Sequence, residues 1–405
     1  MTKFYVGKPA PPEDLMDRKE EVKYIVTKMK SKGISYNLAI LGYRRIGKTS
    51  ILFKVKEILL NNEEIAVVYF DVKQNMAEPK TFLTRLEKAI FDAYLEKLRF
   101  STKIGTKASK ATEFFTKIRE ALTSKKVKSI SADISSNGII LPKIEFEDKV
   151  TDYGTLFMSV FKSATAFAEK SNLKFIIILD EFQDLVNLDR YPGLKDIFSL
   201  FRSIIQQRGK TVSFIVSGSR VHMLQTILGS GESPLFVHFE RYAIQEMDKH
   251  NSLEFFNKYL AAKKLKSNNK GAEQAYELVG GQPFYLMAIA EKWNTGDDVN
   301  MVFQNLLTDS LGTLKLYAEY ILSEDLADAT GGPILKTILQ ALSDNSTGYT
   351  VSELAKKMSI ALTNLPRYLT PLIDADLVTK INGNYIVRDK MLREYLRVQV
   401  EALSS

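Results

Sequence analysis

The chain of 405 residues contains no cysteine, three histidines and one tryptophan. Without thiols there is no disulfide framework and no thiolate metal site, and the histidines lack the spacing of a zinc site. Long hydrophobic runs are missing too. The longest uninterrupted apolar stretch, Phe284 to Ala290, falls far short of the ~20 residues that cross a bilayer. No apolar stretch near Met1 has the form of a signal peptide. These absences predict a protein of the reducing cytoplasm with no membrane contact. What is present suits a soluble globular chain: 45% apolar and 26% charged residues, at a length that suggests two or three domains. A net charge of +8 is compatible with nucleic acid or an acidic surface as partner. It is equally compatible with a solvated lysine-rich surface.

The most informative stretch is Gly42-Tyr43-Arg44-Arg45-Ile46-Gly47-Lys48-Thr49, which has Walker A spacing. A short apolar run, Tyr36 to Leu41, precedes it, and Ser50 to Leu60 has helical periodicity. Strand, glycine loop and helix start therefore stand in the order phosphate binding requires. Successive backbone N–H groups and the helix N-terminus would face the anion, and Gly42 and Gly47 allow close approach. Lys48 would reach the β- and γ-phosphates, and the Thr49 hydroxyl would hold Mg²⁺.

The second anchor is Lys174 to Asp184, KFIIILDEFQD, an apolar strand ending in two acids as in a Walker B element. Asp180 would serve the Mg²⁺ shell and Glu181 would orient or deprotonate the attacking water. Gln183 and Asp184 read as serving the following turn. Ile65 to Asp71 is a further strand, with Asp71 either near the γ-phosphate or simply in a turn. Thr211 to Val216 is the next, ending in Ser217-Gly218-Ser219-Arg220. Strand ends of a parallel sheet meet at one crevice, so Ser217 or Ser219, and less directly Arg220, are candidate γ-phosphate sensors. Leu235 to Phe239 reads as a fifth strand. Beyond it, Arg241 would project toward phosphate in cis or from a neighbouring subunit, or be an ordinary surface arginine.

The proline-rich segment from Phe4 to Pro12 reads as extended, with a helix following to about Lys30. Leu15, Met16 and Arg18 are candidate adenine contacts, with a plain capped surface helix as the alternative. Lys80 to Phe100 and Tyr153 to Lys170 are helical. Residues 101–130 hold eight Lys or Arg against two Glu, a nucleic-acid path or a solvated helix face. Val127 to Ile134 and Ile139 to Phe146 flank Asn137-Gly138 and predict a β-hairpin inserted in the nucleotide domain. From Ile244 to about Asp328 the pattern is helical. Gly331-Gly332-Pro333 marks a boundary. Three helices follow, the second opened by a capping box at Thr350 and Glu353, the third over Asn364 to Ala375. A hairpin then turns at Asn382-Gly383. This order predicts a winged helix, closed by an amphipathic helix from Met391 to Leu403. Its third helix carries one cation, Arg367, near Asp374 and Asp376. Lys356, Lys357, Lys380 and Arg388 are candidate phosphate contacts on duplex DNA. Docking on the chain's own nucleotide domain, or on a protein, is the competing reading.

Taken in order, these motifs resemble the archaeal ATPase family, a branch of the STAND class of P-loop NTPases related to archaeal origin-recognition AAA+ initiators. Gly42 to Ser50 with its paired arginines, Leu179 to Gln183, Ser217-Gly218-Ser219 and the segment from Thr350 to Leu396 carry the resemblance. So does Gly281-Gln282-Pro283, which looks like the family's Gly-x-Pro element. The resemblance implies a P-loop residue set from Gly42 to Ser50 that binds ATP or ADP, an adenine contact from Gln282 and Pro283, and a catalytic arginine at Arg241. Glu240 stands where the family has Gly. The expected fold is α/β, an ASCE/AAA+-like parallel sheet over residues 1–243 with an insertion at about 101–150. A helical lid over 244–330 and a winged helix over 331–405 complete it. The expected function is an ATP-hydrolysing, Mg²⁺-dependent switch. It would act on a protein partner, on DNA or through self-association, with a non-hydrolysing nucleotide-gated scaffold as the alternative.

Overall fold

The computed structural model describes residues 7–31, 33–102, 127–134, 140–146, 152–326 and 332–404. Outside them lie residues 4–6 of the N-terminal segment, residues 103–126 of the basic stretch, the 135–138 turn and Gly331. The first part of the chain runs α1 (Lys19–Lys30), β1 (Asn37–Leu41), α2 (Lys48–Leu60), β2 (Ile65–Asp71), the one-turn α3 (Val72–Asn75) and α4 (Pro79–Thr102). An antiparallel pair, β3 (Val127–Ile134) and β4 (Ile140–Phe146), and α5 (Tyr153–Ser171) come next. Then follow β5 (Lys174–Asp180), a 3-10 helix (Phe182–Leu188), α6 (Ile197–Gln207), β6 (Val212–Gly218), α7 (Val221–Gly229) and β7 (Glu240–Ala243).

Five of these strands form a parallel sheet in the order β2-β5-β6-β1-β7. Apart from their outer ends, β1, β5 and β6 are buried along their length, as expected of near-continuous apolar strands covered on both faces. Alternation divides them. Ala39, Val68, Phe70, Ile177 and Leu179 enter one core with α4, α5 and α6. Leu38, Ile40, Val67, Ile176 and Ile178 enter another with α1 and α2. The strands' C-terminal ends coincide: Asp71 pairs with Asp180, and Leu41 pairs with both Gly218 and Ala243.

Two sequence readings shift. Helix α2 begins at Lys48 rather than Ser50, because Gly47 takes a left-handed φ of 100° as N-cap and the helix starts at once. The fifth strand is not Leu235 to Phe239 but β7, and it contains Arg241. Leu235 and Phe239 are buried as loop residues in the core. Val237, at φ 57° and 79% exposed, breaks any extended run between them. The true strand is a polar edge, alternately half-buried and exposed, so it carries no apolar signal.

The second part is helical: α8 (Lys249–Ala262), α9 (Asn269–Val279), α10 (Pro283–Lys292), α11 (Val299–Thr308) and α12 (Thr313–Leu326). Then come α13 (Gly332–Ser343), α14 (Val351–Met358), α15 (Leu365–Asp374), the hairpin β8 (Val378–Ile381) and β9 (Asn384–Val387), and α16 (Lys390–Ser404). Thr350 and Glu353 form the expected capping box at α14. Elements α8 to α16 share one apolar core, from Phe256 and Trp293 through Leu339 to Leu396. Helix α15 packs against α7, where the His222 N–H donates to Asp376 (3.1 Å) and His222 Nδ1 lies 3.2 Å from Asp374. Among the described residues no helix is long and apolar enough to cross a membrane.

Candidate functional site

The loop Gly42 to Gly47 leaves β1 at the C-terminal edge of the sheet and turns directly into α2. Arg45 sits at φ 65°, an unusual conformation for a side chain-bearing residue that the surrounding contacts must maintain. Lys48 is buried, and its ammonium donates to the carbonyls of Gly42 (2.6 Å) and Tyr43 (3.0 Å), both uncharged partners. Burial pushes this lysine below its ordinary pKa, although Glu181 and Asp180 pull it upward.

Asp180, the last residue of β5, is nearly enclosed. Its Oδ2 accepts from Thr49 Oγ1 (2.9 Å) and Tyr69 OH (2.8 Å), and its Oδ1 accepts from Ser217 Oγ and the Glu181 N–H. Glu181 follows at φ 53°. Its Oε2 accepts three hydrogen bonds, from Gln183 Nε2 (2.7 Å), the Ser219 N–H (3.0 Å) and Ser219 Oγ (2.9 Å). Burial raises the Glu181 carboxyl, but Lys48 and these donors outweigh it, so the group stays below its ordinary value and ionised.

A cavity of about 450 Å³ opens beside this cluster. Its lining divides by element. From the sheet edge come Lys48, Thr49, Asp71, Glu181, Asp184 and Ser219, and from the segment before α1 and from α8 and α10 come Leu15, Met16, Phe255, Pro283, Phe284 and Met287. Asp184 is raised to about 6, by burial and then by Glu181, against the pull of Arg220, Lys73 and Arg44. Most of the sequence-derived candidates meet here. Leu15, Met16, Arg18, Arg44, Arg45, Ile46, Gly47, Lys48, Thr49, Ser50, Glu181, Ser219, Arg220 and Pro283 line the cavity. Asp180 and Ser217 stand directly behind it through Thr49. Gln282 supports the loop, its Nε2 donating to the Arg44 carbonyl (2.9 Å). Gly42 and Tyr43 lie on the loop's other side, with Tyr43 against Arg388. Arg241 is not brought to the cluster. It is level with Ala39 on the sheet edge, and its guanidinium lies against Gly229.

Three residues at the site carried other readings or none. Gln183, read as a turn residue, is a donor to Glu181, and Gly218 makes room for it, since a Cβ there would collide with Gln183 Oε1. Tyr69 reaches Asp180 from β2; its position two residues before Asp71, on the same face of the strand, is the available signal. Asp325, which binds Arg44 Nη2 at 2.9 Å, lies too far along the chain for any local pattern to find.

The pieces present fit a nucleotide. Arg44 and Gln183 line the cavity, and Arg44 Nη1 and Gln183 Oε1 are buried without a hydrogen-bond partner among the described residues. The buried Lys48 ammonium is held only by carbonyl oxygens a phosphate would outcompete. Thr49 Oγ1 and Asp180 Oδ2 are hard oxygen donors 2.9 Å apart, of the kind Mg²⁺ takes.

A family model described as an ATPase domain predominantly from Archaea matches residues 15–289. Among solved structures, the Walker-type ATPase PABY2304 of Pyrococcus abyssi superposes with a TM-score of 0.68 at 20% identity, over 96% of this chain and 97% of that one. The Aeropyrum pernix ORC2 protein in its ADPNP–ADP complexes superposes with a TM-score of 0.55 at 13% identity, over 98% of each chain. No curated protein sequence matches the chain.

Proposed function

The chain belongs to the archaeal ATPase family, and we propose that it is an ATP-hydrolysing, Mg²⁺-dependent switch of the STAND and AAA+-like type. The observation that carries this reading is the meeting of Lys48, Thr49 and Glu181 at one cavity, with Asp180 directly behind Thr49. In this reading residues 1–243 form the ATPase unit, 244–330 the lid and 331–405 a winged helix. ATP lies with its base among Leu15, Met16, Arg18 and Pro283 and its phosphates on the loop. ORC2, which shares the fold, was captured with adenine nucleotides, and that supports adenine here.

Lys48 turns from the Gly42 and Tyr43 carbonyls to the β- and γ-phosphate oxygens. Thr49 and Asp180 would hold Mg²⁺, which would supply charge neutralisation at the phosphates. Glu181, ionised, accepts a proton from the water as its oxygen bonds to the γ-phosphorus and the bond to the bridging oxygen breaks. Gln183 and Ser219 fix Glu181 during the reaction, and Ser217 and Tyr69 fix Asp180. Arg241 has no role in cis here, and a role in trans requires a second copy. ATP prefers the closed lid, and that differential affinity drives the switch.

As output, we favour action on a protein partner or on the chain itself over duplex DNA. Of the four cations considered for phosphate contact, Arg388 stacks on Tyr43 and Lys357 pairs with Asp344. Helix α15 leans on α7 through His222. ATP turnover of wild type and Glu181→Gln, with and without duplex DNA across a salt series, tests both parts. Turnover that is lost in Glu181→Gln and indifferent to DNA is expected. DNA stimulation that fades steeply with salt would restore the DNA reading. Equal behaviour of both proteins would leave the nucleotide-gated scaffold.

A further inference from the structure

Two arginines of the phosphate loop take no part in the hydrolysis just described, and their surroundings differ. Arg45 is committed to closing the cavity: its Nη1 donates to the Gly7 carbonyl (2.9 Å), and its guanidinium lies over the rings of Phe284 (4.9 Å) and Tyr317 (5.5 Å). Arg44 also lines the cavity, its guanidinium 5.9 Å from the centre of the Tyr320 ring, and its hydrogen bonding is only half used. Its Nη2 bonds Asp325 Oδ1 at 2.9 Å, and its Nη1 is buried with no hydrogen-bond partner among the described residues. Asp325 stands near the end of α12, its side chain 6% exposed, and a second cation, Arg220, approaches the same oxygen at 3.9 Å. Lys73 and Glu324, the preceding residue of α12, form a parallel bridge of 2.6 Å. The end of α12 therefore rests on cations at the phosphate end of the cavity.

We propose that Arg44 binds the γ-phosphate in cis, and that Asp325 holds its guanidinium back until ATP arrives. This rests on the reading that the cavity binds ATP. A guanidinium offers parallel N–H donors that match phosphate oxygens, and one terminal nitrogen of Arg44 is already free for this. Its charge already acts on the reaction centre, where Glu181 stabilises it and it disfavours the charge on Lys48. The present partner is replaceable. Burial raises the Asp325 carboxyl above its ordinary value even though Arg44 and Arg220 oppose this, so the ion pair is held at a desolvation cost. When Arg44 leaves, Arg220 keeps Asp325 from standing as an uncompensated buried charge. The exchange would loosen α12 from the loop only when a third phosphate is present, which distinguishes ATP from ADP. It also supplies, from within the loop, the cation sought at Arg241.

Calorimetric titration of ADP and of a non-hydrolysable ATP analogue into wild type, Arg44→Ala, Arg44→Lys and Asp325→Asn tests the proposal. Arg44→Ala should bind ADP within about threefold of wild type, confirming its fold, yet lose about tenfold or more of its preference for the analogue. Arg44→Lys should recover part of that preference, since it returns the charge without the fork. Asp325→Asn should strengthen it, because the competing carboxylate is gone. In steady state, turnover by Arg44→Ala should fall by roughly 10³-fold. An analogue-to-ADP ratio in Arg44→Ala equal to that of wild type overturns the proposal. If wild type binds both nucleotides without turnover, the hydrolysis reading fails while the ratio still decides Arg44. If wild type binds neither, the ATP reading and the proposal fall together.

Discussion

The guanidinium of Arg388 lies 3.4 Å from the centre of the Tyr43 ring, so the second residue of the phosphate loop is covered by the residue that follows the C-terminal hairpin. Three consecutive loop residues thus reach into the helical half: Tyr43 to the residue after the hairpin, Arg44 to the end of α12, and Arg45 to the start of α10 and to Tyr317 of α12. Nothing that moves this loop can leave the helical half of the chain undisturbed. A cation stacked on a partly desolvated ring is worth about 1–2 kcal/mol. A double-mutant cycle on Tyr43→Leu and Arg388→Gln should return a coupling near that size in thermal unfolding. Amide exchange in β8 and β9 should rise in either single variant. Strict additivity would show the two residues to be neighbours without energetic consequence.

Tyr69 and Thr49 share one oxygen of Asp180. Removing the hydroxyl in Tyr69→Phe keeps the ring against Phe53 and takes one of four donors from Asp180. Loss of such an outer partner costs about 10-fold or more in metal affinity. The Mg²⁺ concentration for half-maximal turnover should therefore rise by about that factor, with turnover at saturating Mg²⁺ little changed. A lower melting temperature with the same Mg²⁺ dependence would make Tyr69 a structural residue only.

A methyl group added at Gly218 would displace the glutamine that holds Glu181. In Gly218→Ala the new Cβ would meet Gln183 Oε1 and, at 3.0 Å, Leu224 Cδ2. Gln183 must swing away, and Glu181 loses one of its three donors. Turnover should drop by roughly 10- to 100-fold, as one charge-assisted hydrogen bond is worth about 1.5–3 kcal/mol. Nucleotide affinity, which does not depend on Glu181 orientation, should hold. Unchanged kcat in a well-folded variant would remove Gln183 from the mechanism.

Far from the site, Glu87 on α4 is 5% exposed, and its Oε2 has no hydrogen-bond partner among the described residues. Burial raises its carboxyl to about 7 from an ordinary 4.5. Between those values the unfolded chain has released a proton that the folded chain retains, so stability falls as pH rises through the window and stays low above it. The loss amounts to at most about 3 kcal/mol. Denaturant unfolding at pH 5 and pH 8 should expose this slope in wild type. Glu87→Gln should flatten it and be the more stable protein at pH 8. A slope that survives in Glu87→Gln would assign the effect to other groups.

The phosphate loop, Asp180 at the end of β5 with Glu181 just after it, and Ser217 and Ser219 on either side of the end of β6 were legible because each lies at the end of an apolar run, where local spacing and chemistry coincide. The edge strand was not, since β7 has one neighbour in the sheet and needs no apolar alternation. Reading Leu235 to Phe239 as that strand mistook buried loop side chains for a pleated face, and it set Arg241 beyond the strand rather than within it. Gln183 was hidden for another reason. A glutamine after a Walker B pair has many local uses, and only the fold brings Ser219 alongside to share Glu181 with it. Contacts such as Arg44 with Asp325, 281 residues apart, have no local signature at all.

One apolar core runs unbroken from α8 to α16. Its consequence is for modularity: the last seventy or so residues are not a detachable appendix. A chain ended near residue 331 would bare the faces of α9, α11 and α12 that now meet α16, a contiguous greasy surface prone to self-association. Substitutions that spare the shared interior are therefore confined to what lies outside it, including the exposed sides of α14, α15 and the hairpin.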